Sequence, residues 1–198
     1  HDPSTGEITV DGINLKNANL RRANFHMALL NGTNFQGADL TKTFFSGSDL
    51  RGANLNETDC SAAKFHGADL DGCSFKKATL RKVDFSNFDL RGIDFSETDL
   101  RKADFRKSNL EKVNLFRADL RKTLFTEANL REAYLSSTWL QDTDLQWANL
   151  RKAILRYSVN LTPAQIQSAE IDRETKVPHY LKIHWTSETD FRCEEKIE

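Results

Sequence analysis

Carboxylates and their amides recur through most of this 198-residue chain at a spacing that could hold them in pairs. Asn19, Asn24, Asp39, Asp49, Asn54, Asp99, Asp104 and Asp119 each stand immediately before a Leu or Phe. Two carboxyl groups held side by side are what general acid–base catalysis uses. The same residue types also hydrogen-bond nearby turn backbone, which suits residues that return with a repeat and not at one site. Catalysis needs a local exception in a pocket, and a packed repeat offers none inside. The structural role is the expectation.

Histidine and cysteine could bring metal chemistry. His26 and His66 lie forty residues apart, with Ser46 and Ser86 in the same series, too far apart to share one ion. His179 and His184 lack the accompanying spacing that a metal demands. Cys60, Cys73 and Cys193 are odd in number and have no zinc-type spacing. Cys60 and Cys73 fall at apolar places, where a free cysteine behaves as a small hydrophobe. No phosphate loop or nucleophile–base arrangement is present. The expectation is no enzyme, with no catalytic, cofactor-binding or metal-binding residue and no cofactor.

Two outward features rise above this background. Arg81–Lys82, Arg101–Lys102 and Arg121–Lys122 recur every twenty residues, with Arg21–Arg22 in the same series. Such a stripe could bind phosphate or an acidic partner. Asp84, Asp99, Asp104 and Asp119 stand in adjacent places to neutralise it, and no aromatic platform is interleaved with it. A solvated face that keeps the molecule soluble is the weightier reading. The second feature is apolar: Phe116, Leu124, Tyr134, Trp139, Trp147, Ile154 and Tyr157 occupy outward places. Exposed apolar clusters imply a covering element or a partner. Cover by the C-terminal residues Tyr180, Leu181, Ile183 and Trp185 is the first expectation, and a homodimer surface the second. Leu29 and Phe44 suggest a smaller contact near the other end.

The element that must position all of these is a repeat. From Leu15 to Leu155, every residue whose number is a multiple of five is Leu or Phe, except Cys60. Two places earlier stands a mostly small residue, such as Ala18, Ala23, Thr33 or Ser48. A period of five fits neither the 3.6 of a helix nor the 2 of a strand. It fits a short extended step followed by a corner, with the small residue and the Leu or Phe pointing inward. One unit cannot bury its own apolar pair, so coils must stack.

A slower period gives the circuit. Phe25, Phe45, Phe65, Phe85, Phe105 and Phe125 are twenty apart, and so are Leu30, Leu50, Leu70, Leu90, Leu110, Leu130 and Leu150. Gly12, Gly32, Gly52, Gly72 and Gly92 follow the same interval, as corners needing positive φ would select. Four units per coil follow, and about seven coils at ~4.8 Å spacing give a rod roughly 35 Å long.

Units such as ADLTK, ANFHM, ADFRK, ADLRK and ANLRE match an A-(D/N)-(L/F)-x-x consensus. Over residues 13–157 the chain resembles the pentapeptide-repeat family. That resemblance implies an all-β solenoid, the right-handed quadrilateral β-helix, abundant in cyanobacteria and found in plant thylakoid-lumen proteins. It also implies a non-catalytic structural or protein-interaction module with an unidentified protein partner. The alternative it suggests is a DNA-mimicking regulator of DNA gyrase, since some members protect that type II topoisomerase from quinolones. Those resemble acidic, dimeric rods. Here 28 basic residues face 29 acidic ones for a net charge of −1, which departs from that pattern and equally disfavours nucleic acid as a partner.

Residues 1–12 are expected to lead in, with a short strand over Glu7 to Val10. Residues 158–171 read as a helical cap, with Thr162 as N-cap and Pro163 at the first helical position. Residues 172–198 form a tail, partly docked on the last coils. No apolar run of eighteen residues could span a membrane. The chain starts at His1 and not Met, so the start looks processed or cloned. The compartment stays open between cytoplasm and, after loss of a targeting segment, periplasm or thylakoid lumen.

Overall fold

A computed structural model describes residues 12–196, and the strand expected over Glu7 to Val10 lies outside them. The residue before each central Leu or Phe forms a parallel bridge with its counterpart twenty residues on, as in Asn14↔Asn34, Asn34↔Asn54 and Asp99↔Asp119. Backbone N–H groups donate up the stack: Leu15 to the Asn34 carbonyl at 2.8 Å, and Asn17 to the Gln36 carbonyl at 2.9 Å. Each circuit therefore returns to the same wall. We name the walls by their central residues: wall A carries Phe25 to Leu145, wall B Leu30 to Leu150, wall C Leu15 to Leu155, and wall D Leu20 to Leu140. The chain runs C, D, A, B within each coil.

Corners join the walls. Ala18 N–H donates to the Leu15 carbonyl at 3.1 Å, closing a four-residue turn that recurs along the stack. The last residue of every unit from Gly12 to Tyr157 has φ between 55° and 70°. The column of Gly marks one corner, yet Lys82, Glu97, Arg117 and Trp147 adopt the same left-handed conformation at the others. The glycine spacing thus reveals only one of the four corner columns that need it, because the type II turn tolerates other residues at a cost. The Asp and Asn before each centre complete the corner: Ser96 N–H donates to Asp94 Oδ1 at 2.8 Å, and Gln36 N–H to Asn34 Oδ1 at 3.1 Å.

The interior is filled by columns of like side chains. Phe25 and Phe45 stack with ring centroids 5.4 Å apart, and Phe45 and Phe65 at 5.2 Å. Phe35, Phe75 and Phe95 on wall C meet the wall A rings edge to face, as Phe65 and Phe75 do at 87°. Offset and edge-on pairs of this kind add about 0.5–1.5 kcal/mol each beyond burial. Polar residues in the small inward place donate to a backbone carbonyl, either one coil away, as Thr43 Oγ1 to Leu20 O and Thr123 Oγ1 to Leu100 O, both at 2.8 Å, or three residues back, as Ser48 Oγ to Phe45 O at 2.7 Å. Among the described residues no buried side-chain nitrogen or oxygen lacks a hydrogen-bond partner.

The ladder runs past residue 157. Val159 bridges Trp139, Glu170 bridges Asn149 and Lys176 bridges Ile154, so the segment after the repeats lies on the last coil as a further, irregular turn. Within it α1 spans Pro163–Gln167, with Thr162 and Gln165 exchanging a reciprocal capping box. Gln165 Nε2 also donates to the Leu140 and Thr143 carbonyls, at 3.0 and 2.7 Å, satisfying open acceptors of the final circuit. The strands β1 (Leu181–Trp185) and β2 (Phe191–Glu195) then form an antiparallel hairpin with Ile183 opposite Cys193. Leu181 and Cys193 are buried, and Tyr180 Oη both accepts from Leu161 N–H at 3.0 Å and donates to the Ser158 carbonyl at 3.1 Å. Among the described residues, no helix is long and apolar enough to cross a membrane.

Candidate interaction surfaces

The basic stripe lies along the corner between walls D and A, and its two halves differ. The arginines fold back onto wall D. Arg81 Nε donates to Asp99 at 2.5 Å, Arg101 Nη2 lies 2.8 Å from Asp99 and its Nε 3.5 Å from Asp119, and Arg121 Nη2 lies 2.6 Å from Asp119. Arg21 does the same to Asp39 at 3.0 Å. Burial pushes the Asp99 carboxyl up, but hydrogen bonds from Arg101 and Arg81 outweigh it and hold the group below the usual carboxylate range. Lys82, Lys102 and Lys122 sit at the left-handed corner places and make no ion pair among the described residues. Asp104 turns instead to Arg106 on the next corner, at 2.5 Å, and Asp84 accepts from Ser86. Lys42 joins Arg81, Lys82, Arg101 and Lys102 around an open groove of about 480 Å³ floored by Ser61 and Ala62.

The apolar set is divided by the fold. Tyr134 and Ile154 are successive rungs of wall C, and Trp139 and Val159 successive rungs of wall D. Phe116 and Tyr157 occupy the corner between those walls, so the six residues form one edge at the C-terminal end. Phe116 and Tyr134 stack at 5.7 Å, and the Arg117 guanidinium lies 4.9 Å over the Phe116 ring. Trp147 stands on the opposite corner, between walls A and B, and Leu124 is half-buried on wall A; neither joins the edge.

Among the described residues, the protein's own C-terminal segment does not cover the aromatic side chains of this edge. The hairpin docks over the end of the stack, where Trp185 packs on Phe191 with centroids 5.4 Å apart and Arg173 lies over its ring. Trp139 stays 47 % exposed, Tyr134 41 % and Tyr157 71 %. Leu181 and Cys193 of the hairpin share one buried cluster with Leu155 and Leu161 of the final turns. Leu29 is half-buried, and Phe44 is exposed beside Arg22, Asn24 and His26 in a shallow depression.

Val159 and the arginines Arg117 and Arg156 belong to this edge, and the sequence reading passed over them. A signal was present. Asp–Leu/Phe–Arg at 49–51, 89–91, 99–101, 104–106 and 119–121 places Asp beneath Arg, and each of these pairs is formed. At 154–156 the same triplet reads Ile–Leu–Arg. One replacement both puts a half-buried aliphatic side chain on the outer wall and removes a carboxylate.

Among the described residues, no group of three or more His, Cys, Asp or Glu side chains could hold a metal ion. His184 Nε2 meets Glu194 Oε1 at 2.7 Å across the hairpin, on the surface. Burial pushes the Cys60 and Cys73 thiols up to about 12, far from a nucleophile's range.

A parallel β-solenoid with five-residue steps, four walls and an interior of stacked Leu and Phe defines a class of protein whose outer surface alone is available for function. This chain belongs to the pentapeptide repeat family. The pentapeptide repeat region model matches residues 41–115 and 58–135, and the model of eight-copy pentapeptide repeats matches 9–37 and 128–158. The right-handed quadrilateral β-helix is the fold of this family. The chain is similar to HetL, a protein involved in heterocyst differentiation regulation from the cyanobacterium Nostoc sp. strain PCC 7120. The identity is 28 % over 84 % of this chain and 74 % of that one, with a TM-score of 0.36. It is 29 % identical to a protein of the Arabidopsis thaliana thylakoid lumen, over 58 % of this chain and 69 % of that one, with a TM-score of 0.28. The plasmid-mediated fluoroquinolone resistance protein QnrB1 is 19 % identical over 88 % of this chain and 91 % of that one, with a TM-score of 0.40. No curated protein matches the sequence.

Proposed function

We propose that this protein is a non-catalytic interaction module. It is a rod of about seven coils at β-spacing, closed at its C-terminal end by the segment after residue 157, and it presents the edge between walls C and D to a protein partner. The observation that carries this reading is the exposure of Tyr134, Trp139 and Tyr157 side by side on walls whose earlier rungs are Asn, Asp, Ser and Thr. Clustered aromatic side chains on an otherwise polar surface mark interaction sites. Stacked coils hold them in a fixed array, so little ordering entropy opposes binding. A DNA-mimicking regulator of gyrase would require an acidic exterior; the uncovered lysines of the D–A corner and the net charge of −1 weigh against it.

The test is site-specific photo-crosslinking in the cells the protein comes from. A photoreactive residue at position 139 should give a discrete protein adduct, and the same residue at position 79, three coils earlier on wall D, should give none. Absence of any adduct at 139, or equal adducts at both positions, removes the reading.

A further inference from the structure

We infer that the C–D edge takes an acidic segment of another protein, one in which apolar anchors are flanked by carboxylates. This partner class rests on the interaction-module reading above and deepens it.

Charge pairing makes the edge distinct. Between Arg51 and Arg151 every arginine has an ion-pair partner except Arg117, and Arg156 just beyond has none either among the described residues. Both stand at the corner that carries Phe116 and Tyr157. Arg156 is unpaired because Ile154 replaces the Asp of the recurring triplet. Ser137 stands one coil above Arg117, where other corners put Glu127 over Lys107 and Glu132 over Lys112, and Glu97, one coil below on the same corner, makes no ion pair with it among the described residues. The Arg117 guanidinium rests on the Phe116 ring instead, which keeps it ordered without satisfying its charge. Trp, Tyr and Arg together are the composition of binding hot spots, and two unpaired guanidinium forks beside aromatic anchors match carboxylates geometrically.

A second copy of the chain answers this chemistry poorly. A two-fold arrangement on wall D that keeps the rods parallel sets Arg117 against the partner copy's D–A corner at the level of Arg121 and Lys122. An antiparallel arrangement sets the C–D corner against itself: one that matches the aromatic clusters puts arginine against arginine, and one that puts Arg117 against Glu97 slides Trp139 and Tyr157 off their counterparts. Like charges across an interface cost affinity and suppress the wrong partner. Asp142 and Glu195, beside Val159 on the far side of wall D, answer Arg156 at best in the parallel case and leave Arg117 facing cations there and in the matched antiparallel one.

The experiment selects a displayed library of short random peptides on the intact chain, then measures the best synthetic peptide by calorimetry. Enriched peptides should be net acidic with aromatic or aliphatic anchors. Affinity should fall about tenfold or more in Trp139→Ala and in the double variant Arg117→Glu/Arg156→Glu, a loss of ~1.4 kcal/mol or greater. Lys102→Glu/Lys122→Glu on the neighbouring corner should leave it unchanged. A peptide with its carboxylates changed to lysine should bind the Arg→Glu double variant better than it binds the parent. Enrichment of neutral or basic peptides, indifference to the Arg→Glu changes, or no enrichment at all overturns the proposal. So does a dimer in sedimentation that Trp139→Ala dissolves. A crosslinked partner at position 139 that lacks carboxylates would sink the acidic class while leaving the interaction module standing.

Discussion

Arg101 spans two coils, with Nη2 2.8 Å from Asp99 and Nε 3.5 Å from Asp119, the residue directly above Asp99 on wall D. Arg81 reaches Asp99 from the coil below, so the column alternates charge along the rod axis. Asp39, Asp49, Asp89 and Asp104, like Asp99, are held below the ordinary carboxylate range by Arg or Thr hydrogen bonds. A carboxyl depressed in the folded state stabilises the fold while ionised, and that contribution disappears as pH falls through the depressed value. Melting temperature should hold steady from neutrality to about pH 5 and fall below about pH 4. Asp99→Asn should flatten part of that acid limb. Melts followed by circular dichroism across this range test it, and stability that rises on acidification would contradict it.

Phe65 lies between Phe45 and Phe85, at 5.2 and 5.5 Å, in the continuous wall A column. Phe65→Ala should destabilise by about 3–5 kcal/mol, from lost burial and the cavity left between two rigid coils. Phe65→Leu should cost much less, since Leu fills the equivalent place on walls B and D. Urea unfolding of both variants is the measurement, and equal losses would mean that stacking matters more than filled volume.

Gly72 has φ of 67° and the backbone of Gly52 stands 3.7 Å from where a Cβ would lie. The space is adequate, so conformation alone sets the cost of a side chain. Gly72→Val should lose about 1–3 kcal/mol, as a β-branched residue forced into the left-handed region does. Lys82→Gly, at φ of 59°, should be close to neutral. There the relief of strain is offset by the wider freedom of Gly in the unfolded chain. Thermal unfolding compares the two.

Cys60, Cys73 and Cys193 are free and buried. Burial raises the first two thiols to about 12 and Cys193 to about 11. None should react with a thiol reagent at pH 8 on the timescale of minutes, and all three should react once the chain is unfolded. Rapid native labelling of Cys193 alone would show that the hairpin opens without loss of the coils.

Much of this architecture was legible in a single sequence because the repeat writes each constraint many times. Phe25 and Phe45 share a wall because twenty residues make a circuit, and six Phe at that interval display the circuit openly. The corners were less legible. Gly at 12, 32, 52, 72 and 92 pointed to one of them, while Lys82 and Trp147 gave no sign of sharing its conformation. The aspartates illustrate the limit further. Asp99 could be placed beside the basic stripe, but its sharing between Arg81 of one coil and Arg101 of the next could not.

The order of residues therefore dictates the period, the inward face and the stacking of like side chains, since these depend on local steps that repeat without interruption. Which outward side chains become neighbours was decided only when the coils were assembled, because Phe116, Tyr134 and Trp139 approach across different units and different coils. Folding also settled what stays uncovered. The hairpin took the open end of the rod, where a coil's apolar interior would otherwise face water, and left Trp139 to the solvent.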